Sequence, residues 1–235
     1  DPGSEVLSSV GEYNDAVAAE FEEVTSLDSA VEKSSFKSSY QALLNGASSG
    51  LQSVADTQED VQKQFNAIDS SINQGIDILI SQPLTLAFQT TQMLQAPARA
   101  ITAIEARLSA YSDLANSIIG ANGEPATPGL DSTSSNKFHA DDLYASTYVT
   151  GSIVSVVNNQ FNTKTEALEA AEVILQQFAD VVIWRDANFE SLQEIDTGGS
   201  YQQLQEAVAL TAGFLVQISF NLKQERRLVL DRDRT

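Results

Sequence analysis

Cysteine is absent from the 235 residues, and histidine occurs once, as His139. Without cysteine the chain has no disulfide framework, no thiol nucleophile and no cysteine-based metal site. Serine is plentiful, but a serine nucleophile needs an activating base, and only His139 or a lysine is available for that role. We therefore predict no catalytic residue, and an enzyme is the least favoured class of function.

The surroundings of His139 also give little support for a metal or cofactor site. Asp141 and Asp142 follow it, but one imidazole with two adjacent carboxylates is a weak signal, and a solvent-facing first turn of a helix is the favoured interpretation. The sequence has no glycine-rich phosphate loop, nucleophile elbow or HExxH spacing. We predict no cofactor and no metal ligand.

Basic residues are scarce, since 13 Lys and Arg stand against 32 Asp and Glu, a formal net charge of −19. Binding of phosphate groups needs a positive field, so direct nucleic-acid binding is not expected. Acids crowd residues 1–60, whereas bases gather from Lys223 onward. A solvated acidic face that keeps the protein soluble is the favoured interpretation, and a head-to-tail contact between the two ends in an assembly stays open.

Long apolar runs are missing as well. None reaches the roughly 18 residues of a membrane-spanning helix, and no signal peptide is visible. The sequence begins with Asp1 rather than methionine, so we expect a segment of a longer protein.

What the sequence does contain is apolar residues spaced three and four apart, a pattern typical of helical bundles and coiled coils. It predicts an all-α fold, an elongated bundle of long, near-antiparallel helices with a short extended C-terminal tail. The stretch Ser81–Gly120 is the predicted organising element, two helices that meet at Pro97 in the first turn of the second helix and end at Gly120. The first helix of the chain is predicted to bury Val6, Val10, Tyr13, Val17 and Phe21.

Ala121–Asn136 is the clearest loop, because it combines prolines and glycines with almost no apolar side chains. It separates an N-terminal helical half (1–120) from a C-terminal half (137–230), with a tail at 231–235 that leads into a further segment. We expect the halves to pack together. A shorter break is predicted at Gly46–Gly50, and the β-branched stretch Val149–Val157 is interpreted as a helix.

The helix predicted after the capping box of Thr163 and Glu166 carries an arginine on its apolar face. Arg185 must either pair with an acid or extend its charged end to solvent, and both alternatives stay open. A buried pair would set the register between helices. Trp184 and Asp186 flank the arginine. The predicted face is Leu168, Ala171, Leu175, Phe178, Val182, Arg185 and Phe189, and the candidate partners of the arginine are Glu105, Asp113, Glu206 and Glu225.

The last predicted helix has a regular apolar face, but Leu210, Phe214 and Phe220 fall outside it. That face is Tyr201, Leu204, Val208, Thr211, Leu215, Ile218 and Leu222. So wide an apolar surface must be covered on two sides, either by the helix's own neighbours or by another protomer. Lys223, Arg226 and Arg227 follow at its end, where an acidic neighbour could bind. We predict a homo-oligomer that associates through this region.

A series of motifs in fixed order points to a known family. They are Pro97-Ala-Arg-Ala100 with Glu105-Ala-Arg-Leu108, Asp180-Val-Val-x-Trp184-Arg185-Asp186, Asp196-Thr197-Gly198, Tyr201-x-x-Leu204-x-x-Ala207-Val208, and Ile218 through Arg227. Over roughly residues 82–235, their order and spacing resemble the central and C-terminal helical region of the DNA circulation (circularisation) family of Mu-like tailed phages.

The resemblance implies a virion component of the tail tip or baseplate, an adaptor between the tail tube or tape measure and the hub. Such a protein is assembled in the host cytoplasm and contacts other tail or baseplate proteins. The DNA-joining activity behind the family's name is not carried over, because the chain is acidic and no active site is recognisable. Two alternatives stay open. One is a secreted helical tip or filament-type protein of a secretion or flagellar system. The other, less favoured, is a DNA-processing or hydrolytic enzyme that uses His139.

Overall fold

A computed structural model describes residues 1–23, 30–52, 58–74, 82–100, 102–120, 132–192 and 198–222. The described residues form eight α-helices and no strand, so the prediction of an all-α bundle is confirmed. The predicted tail at 231–235 lies outside them. The helices are α1 (Pro2–Glu23), α2 (Ala30–Gln52), α3 (Gln58–Gln74), α4 (Pro83–Gln95), α5 (Ile104–Ile119), α6 (Ser132–Val157), α7 (Lys164–Leu192) and α8 (Gly199–Asn221), with a 3-10 helix (Ala96–Arg99) between α4 and α5.

Helix α6 lies at the centre of the bundle. Every residue from Ala140 to Val156 is buried, and α6 contacts α1, α2, α4, α5, α7 and α8. The prediction that Ser81–Gly120 organises the fold is therefore wrong. The β-branched stretch 149–157 is helical, as predicted. A helix covered on every side shows no difference in polarity between its faces, so its periodicity does not reveal its central place.

The stretch Ser81–Gly120 folds differently from the prediction at its middle. Pro97 lies in the 3-10 helix, the backbone is extended at Ala100 (φ −67°, ψ 158°), and α5 begins only at Ile104. The placement of Pro97 in the first turn of the second helix is therefore wrong. The stop at Gly120 is confirmed, because its φ of 78° is a conformation that glycine adopts without steric cost, and its N–H donates to the Asn116 carbonyl at 2.9 Å.

Two predicted breaks are helical. Helix α2 continues through Gly46–Gly50 to Gln52. At Gly50 a Cβ atom would lie only 2.6 Å from Cδ2 of Leu114, so this glycine allows α5 to approach rather than the chain to turn. Helix α6 already begins at Ser132, so residues 132–136 of the predicted loop are helical, while 121–131 lie outside the described residues.

The residues on both sides of the predicted boundary share one apolar core. Its largest helix–helix contact joins α1 to α8, the first and last described helices. Glu20 of α1 accepts hydrogen bonds from the N–H of Ser200 at 2.8 Å and from its hydroxyl, at the N-terminus of α8. A carboxylate there satisfies free N–H groups and complements the helix dipole, and Gly198 at the N-cap has no side chain to do so.

Helix α7 begins as predicted but buries a different face. Its capping box is confirmed, since the N–H of Glu166 donates to Oγ1 of Thr163 at 3.2 Å and the Glu166 carboxylate accepts from the N–H of Asn162 at 2.9 Å. The predicted face is wrong by one residue, because Leu175 is 46% exposed. The buried face includes three alanines. That face is Ala167, Ala170, Ala171, Ile174, Gln177, Val181, Trp184, Arg185 and Asn188.

Candidate functional site

Arg185 is buried and paired with a carboxylate of the central helix. Its side chain is only 1% exposed, and Nη1 lies 2.8 Å from both Oδ1 and Oδ2 of Asp142 on α6. Asp142 also accepts a 3.0 Å hydrogen bond from Oγ of Ser146. The guanidinium carbon lies 5.3 Å from the ring centre of Tyr201 on α8, a cation–π distance. Three helices, α6, α7 and α8, therefore meet at this one arginine.

Asp142 was not among the four acids that the sequence analysis nominated as partners of Arg185, and one of those four, Glu225, lies outside the described residues. Asp142 was assigned to a solvent-facing turn, yet it is 5% exposed, and Asp141 is buried as well. The two adjacent carboxylates point apart, since Asp141 pairs with Lys137 at 2.5 Å and Asp142 with Arg185. Burial raises the pKa of Asp141, and the neighbouring Lys137 opposes part of that shift. The sequence analysis did not identify these two acids as buried, because residues 140–156 of α6 are buried on every side and show no contrast between a polar and an apolar face.

Trp184 supports the same helix–helix contact, and Asp186 does not. The Trp184 ring is buried and stacks on Phe138 of α6, with 5.0 Å between ring centres. Asp186 is exposed on the outer side of α7. The candidate trio thus divides into two residues that fix α7 against α6 and one that faces solvent.

A second set of buried polar pairs fixes the helices around α6, and the sequence analysis did not anticipate it. Tyr13 of α1 hydrogen-bonds Thr147 at 3.1 Å, and Nε2 of Gln95 on α4 donates to Oγ1 of Thr150 at 2.9 Å. Displacing either helix along its axis would leave these groups buried without partners, which costs more than the hydrogen bond itself contributes. The serines and threonines within α6 are the only sequence signal of this network.

Five of the tyrosines are buried around this network: Tyr13, Tyr40, Tyr111, Tyr144 and Tyr148. Burial, which disfavours the phenolate, raises the pKa of each above its ordinary value. They remain neutral hydrogen-bonding groups at physiological pH, as where the Tyr111 hydroxyl donates to the Leu94 carbonyl at 2.7 Å. Their chemistry in this setting is packing and hydrogen bonding rather than nucleophilic attack.

The described contacts of His139 are packing contacts. Its ring packs edge-on against Phe138 at 5.3 Å, and the acids that follow it are directed to Lys137 and Arg185. In the part of the chain that the structure describes, no group of three His, Cys, Asp or Glu residues could hold a metal ion. Nor is any described helix both long enough and apolar enough to span a bilayer.

The two phenylalanines nominated on α8 have different surroundings. Phe214 is half-buried against the core, and a Cβ atom added at Gly3 of α1 would lie 3.6 Å from its ring, so it belongs to the α1–α8 contact. Helix α1 covers that side of α8, and the nomination of Phe214 as an interaction residue stays a prediction. Phe220 is 76% exposed, with Nζ of Lys164 5.6 Å above its ring. The nominated bases Lys223, Arg226 and Arg227 lie outside the described residues.

A groove lies between α5 and α7, and the sequence analysis did not anticipate it because its walls are distant in the chain. It consists of two adjoining cavities of about 360 Å³ and 200 Å³ that share Ser112 and Val173. Nε2 of Gln177 donates across its base to Oγ of Ser112 at 2.6 Å. We call it the α5–α7 groove. Its apolar lining is Ile104, Leu108, Ala115, Ile119, Ala170 and Val173, and its acidic lining is Glu105, Glu166, Glu169 and Asp180.

Comparisons of this chain with protein-family models, with curated proteins and with solved structures find no match. The resemblance over residues 82–235 to the phage family stays a prediction, and the function has to be inferred from the residues of the chain itself.

Proposed function

We propose that this chain is a structural component of a phage tail tip or baseplate, an adaptor between the tail tube or tape measure and the hub. It acts through helix packing and oligomerisation, in a particle assembled in the host cytoplasm. The resemblance of residues 82–235 supports the setting. The observation that carries the mode of action is the outer face of α8, where Phe220 (76% exposed) follows Val216 (42% exposed) by one helical turn.

An exposed phenylalanine beside an exposed valine is the kind of surface that a partner helix covers. The opposite face of α8 is anchored in the core by Leu204, Val208 and Leu215. The helix therefore holds its outer face in a fixed position while its inner face is buried in the same molecule. Such a helix suits a protein whose task is to join others.

The interior also fits a structural role. An adaptor has to keep its binding surfaces in one geometry, and the Arg185–Asp142 pair together with the Tyr13–Thr147 contact fixes the register of the helices that carry them. Buried polar pairs of this kind serve specificity of packing more than overall stability. We infer a rigid connector rather than a flexible one.

The proposal is tested by locating the chain. A mass-spectrometric inventory of purified tailed particles should contain it in a fixed ratio to the other tail proteins, and electron microscopy with a labelled chain should place it at the distal end of the tail. Recovery of the chain in a secreted filament or needle-tip fraction instead would favour the secretion or flagellar alternative. Hydrolytic or DNA-joining activity that disappears in His139→Ala would favour the enzyme.

A further inference from the structure

The α5–α7 groove combines an aliphatic floor with an acidic rim. Its lining includes four carboxylates, those of Glu105, Glu166, Glu169 and Asp180, and none of the described residues that line it is a lysine or arginine. Glu105 and Glu169 are exposed. Acids that face each other across an apolar groove raise the local negative potential, because the low-dielectric walls focus the field. The chemistry that complements this surface is a segment with cationic side chains next to aliphatic ones.

The side-chain oxygen of Gln177, at the floor of the groove, can accept a further hydrogen bond. Gln177 is only 6% exposed, and its Nε2 is used by Ser112. Among the described residues its Oε1 receives no hydrogen bond. A buried amide oxygen without a donor is costly, so a ligand that brings an N–H group into the groove would gain from it.

The chain itself contains a segment of the required chemistry. Five of its 13 basic residues follow Leu222, and three of them, Lys223, Arg226 and Arg227, come directly before the aliphatic run Leu228-Val229-Leu230. We call residues 223–230 the basic segment; it lies beyond the residues that the structure describes. In an extended conformation eight residues span at most about 28 Å. The groove follows α7 from Glu166 to Asp180, roughly 21 Å at 1.5 Å per residue.

The position of α8 indicates that a second copy of the chain supplies this segment. Helix α8 packs on α7 through Tyr201, which stacks on Phe178 at 6.4 Å. Phe178 is five residues from Val173 of the groove, a rotation of about 140° around the helix. The groove thus faces away from α8. The end of α8 lies beside the start of α7, where Lys164 contacts Phe220, so the basic segment of the same chain would have to reverse its direction around that end of α7 to enter the groove. A segment from a second copy can lie along the groove without such a reversal.

We infer that the α5–α7 groove binds the basic segment, residues 223–230, of a second copy of this chain. This inference rests on the proposed adaptor function and deepens it, because it names the contact through which the protein oligomerises. The contact is head-to-tail, with different surfaces on the two partners. Repetition of such a contact gives a closed ring where the rotation closes and an open filament where it does not.

Charge reversal in the full-length chain tests the inference. Glu105→Lys with Glu169→Lys reverses the rim at exposed positions, and Arg226→Glu with Arg227→Glu reverses the segment. Each double variant should associate at least about ten-fold more weakly than the wild type in sedimentation at low salt, where exposed charges interact most strongly. A mixture of the two variants should regain association, because reversed groove meets reversed segment. Undiminished association of the groove variant would overturn the inference.

The matched control is Asp113→Lys with Asp186→Lys, which alters net charge by the same amount at exposed positions of α5 and α7 that do not line the groove. This variant should associate like the wild type. An equal loss of association in it would show that total charge, rather than the groove, controls assembly, and would overturn the inference.

Cysteine cross-linking identifies the occupant, since the chain has no cysteine of its own. Chains with Ser109→Cys, in the groove lining, and chains with Leu228→Cys should form a disulfide-linked heterodimer when they are mixed under mild oxidation. A chain that carries both changes should give linked oligomers rather than an internally linked monomer. An internally linked monomer would assign the groove to the segment of the same chain, and absence of any disulfide would exclude the segment as its occupant. Either result overturns the inference.

The inference and the proposed function fail in different ways. If the chain is present in tails but the groove disulfide does not form, the adaptor function is supported and the groove contact is contradicted. The groove disulfide together with absence from tail particles would show the contact and refute the adaptor.

Discussion

Helices α6 and α8 have opposite distributions of polarity, although they are of similar length. Helix α6 is buried from Ala140 to Val156 and places Asp142, Thr147 and Thr150 in the interior. Helix α8 buries aliphatic residues on one side and exposes Phe220 to solvent. The comparison shows that polar groups at the centre of this bundle define how the helices align, while apolar groups at its surface are available for binding.

The difference has an energetic basis. An apolar core tolerates rearrangement as long as its volume is conserved, whereas a buried hydrogen bond or ion pair has one acceptable geometry. An exposed aromatic ring adds little to the stability of the monomer but has much to gain from being covered by a partner. Substitutions in α6 and its partners should therefore change stability, and substitutions on the outer face of α8 should change assembly.

The largest effect is expected at the buried ion pair. Arg185→Ala leaves Asp142 buried without its partner, so the free energy of unfolding should fall by about 3–5 kcal/mol. Chemical denaturation followed by circular dichroism measures this. The double variant Arg185→Met with Asp142→Leu removes both charges and should lose much less. A loss below about 0.5 kcal/mol in Arg185→Ala, the size typical of surface positions, would contradict the central role of the pair.

A pair of glycine substitutions compares the packing of the two helices directly. A Cβ atom at Gly151 of α6 would lie 2.5 Å from the Tyr111 ring, so Gly151→Ala should cost about 1–3 kcal/mol through overpacking. Around Gly213 of α8 the described residues place no atom from outside the local helix backbone within 4 Å of the same position, so Gly213→Ala should stabilise the helix by up to about 1 kcal/mol. Thermal unfolding should show a lower stability for Gly151→Ala and a higher stability for Gly213→Ala than for the wild type. Equal effects would contradict the distinction between a close-packed centre and an open surface.

Asp141, the acid next to the ion pair, should make the free energy of unfolding depend on pH in a defined direction. Burial raises the pKa of Asp141 in the folded protein, so the folded state binds its proton more readily than the unfolded state does. The stabilisation linked to this proton is complete below the ordinary aspartate pKa and is lost as the pH rises through the raised value. Asp141→Asn should therefore gain stability relative to the wild type at pH 7, and the gain should vanish as the pH falls below about 4. A gain that persists in acid would assign the effect to another cause.

The smallest effect on stability is expected at Phe220, where the change in assembly should be clear. Phe220→Glu should alter the free energy of unfolding by no more than about 0.5 kcal/mol, because the side chain is already in solvent. It should nevertheless reduce self-association of the full-length protein in sedimentation experiments and impair tail completion. Phe214→Glu is the matched variant, and it should destabilise the fold because α1 covers that ring. An unaltered sedimentation profile in Phe220→Glu would remove the outer face of α8 from the assembly.

Sequence patterns were reliable on α1 and α8, which each have one side that faces water. The apolar face of α1, with Val10, Tyr13 and Val17, is buried as predicted, and so are Leu204 and Val208 of α8. Local chemistry was equally readable, as the capping box at Thr163 and the stop at Gly120 show. These features depend on contacts within a few residues along the chain, so the sequence by itself determines them.

Features that depend on distant parts of the chain were not readable in the same way. The face of α7 was misplaced by one residue, because alanines and the hydrogen-bonded Gln177 are buried while Leu175 is exposed. Nor could the sequence select Asp142 as the partner of Arg185, since these residues are 43 positions apart. The pairing depends on how α7 lies across α6.

The sequence by itself thus determined an all-α bundle, the helix termini at Gly120 and Thr163, and the amphipathic faces of α1 and α8. Only the tertiary structure decided that α6 is central, that Arg185 pairs with Asp142 and that α5 and α7 enclose an acidic groove. The physical reason is that periodicity reports a contrast between water and core around a single helix. A helix surrounded on every side has no such contrast, and a groove between two helices exists only once both have been placed.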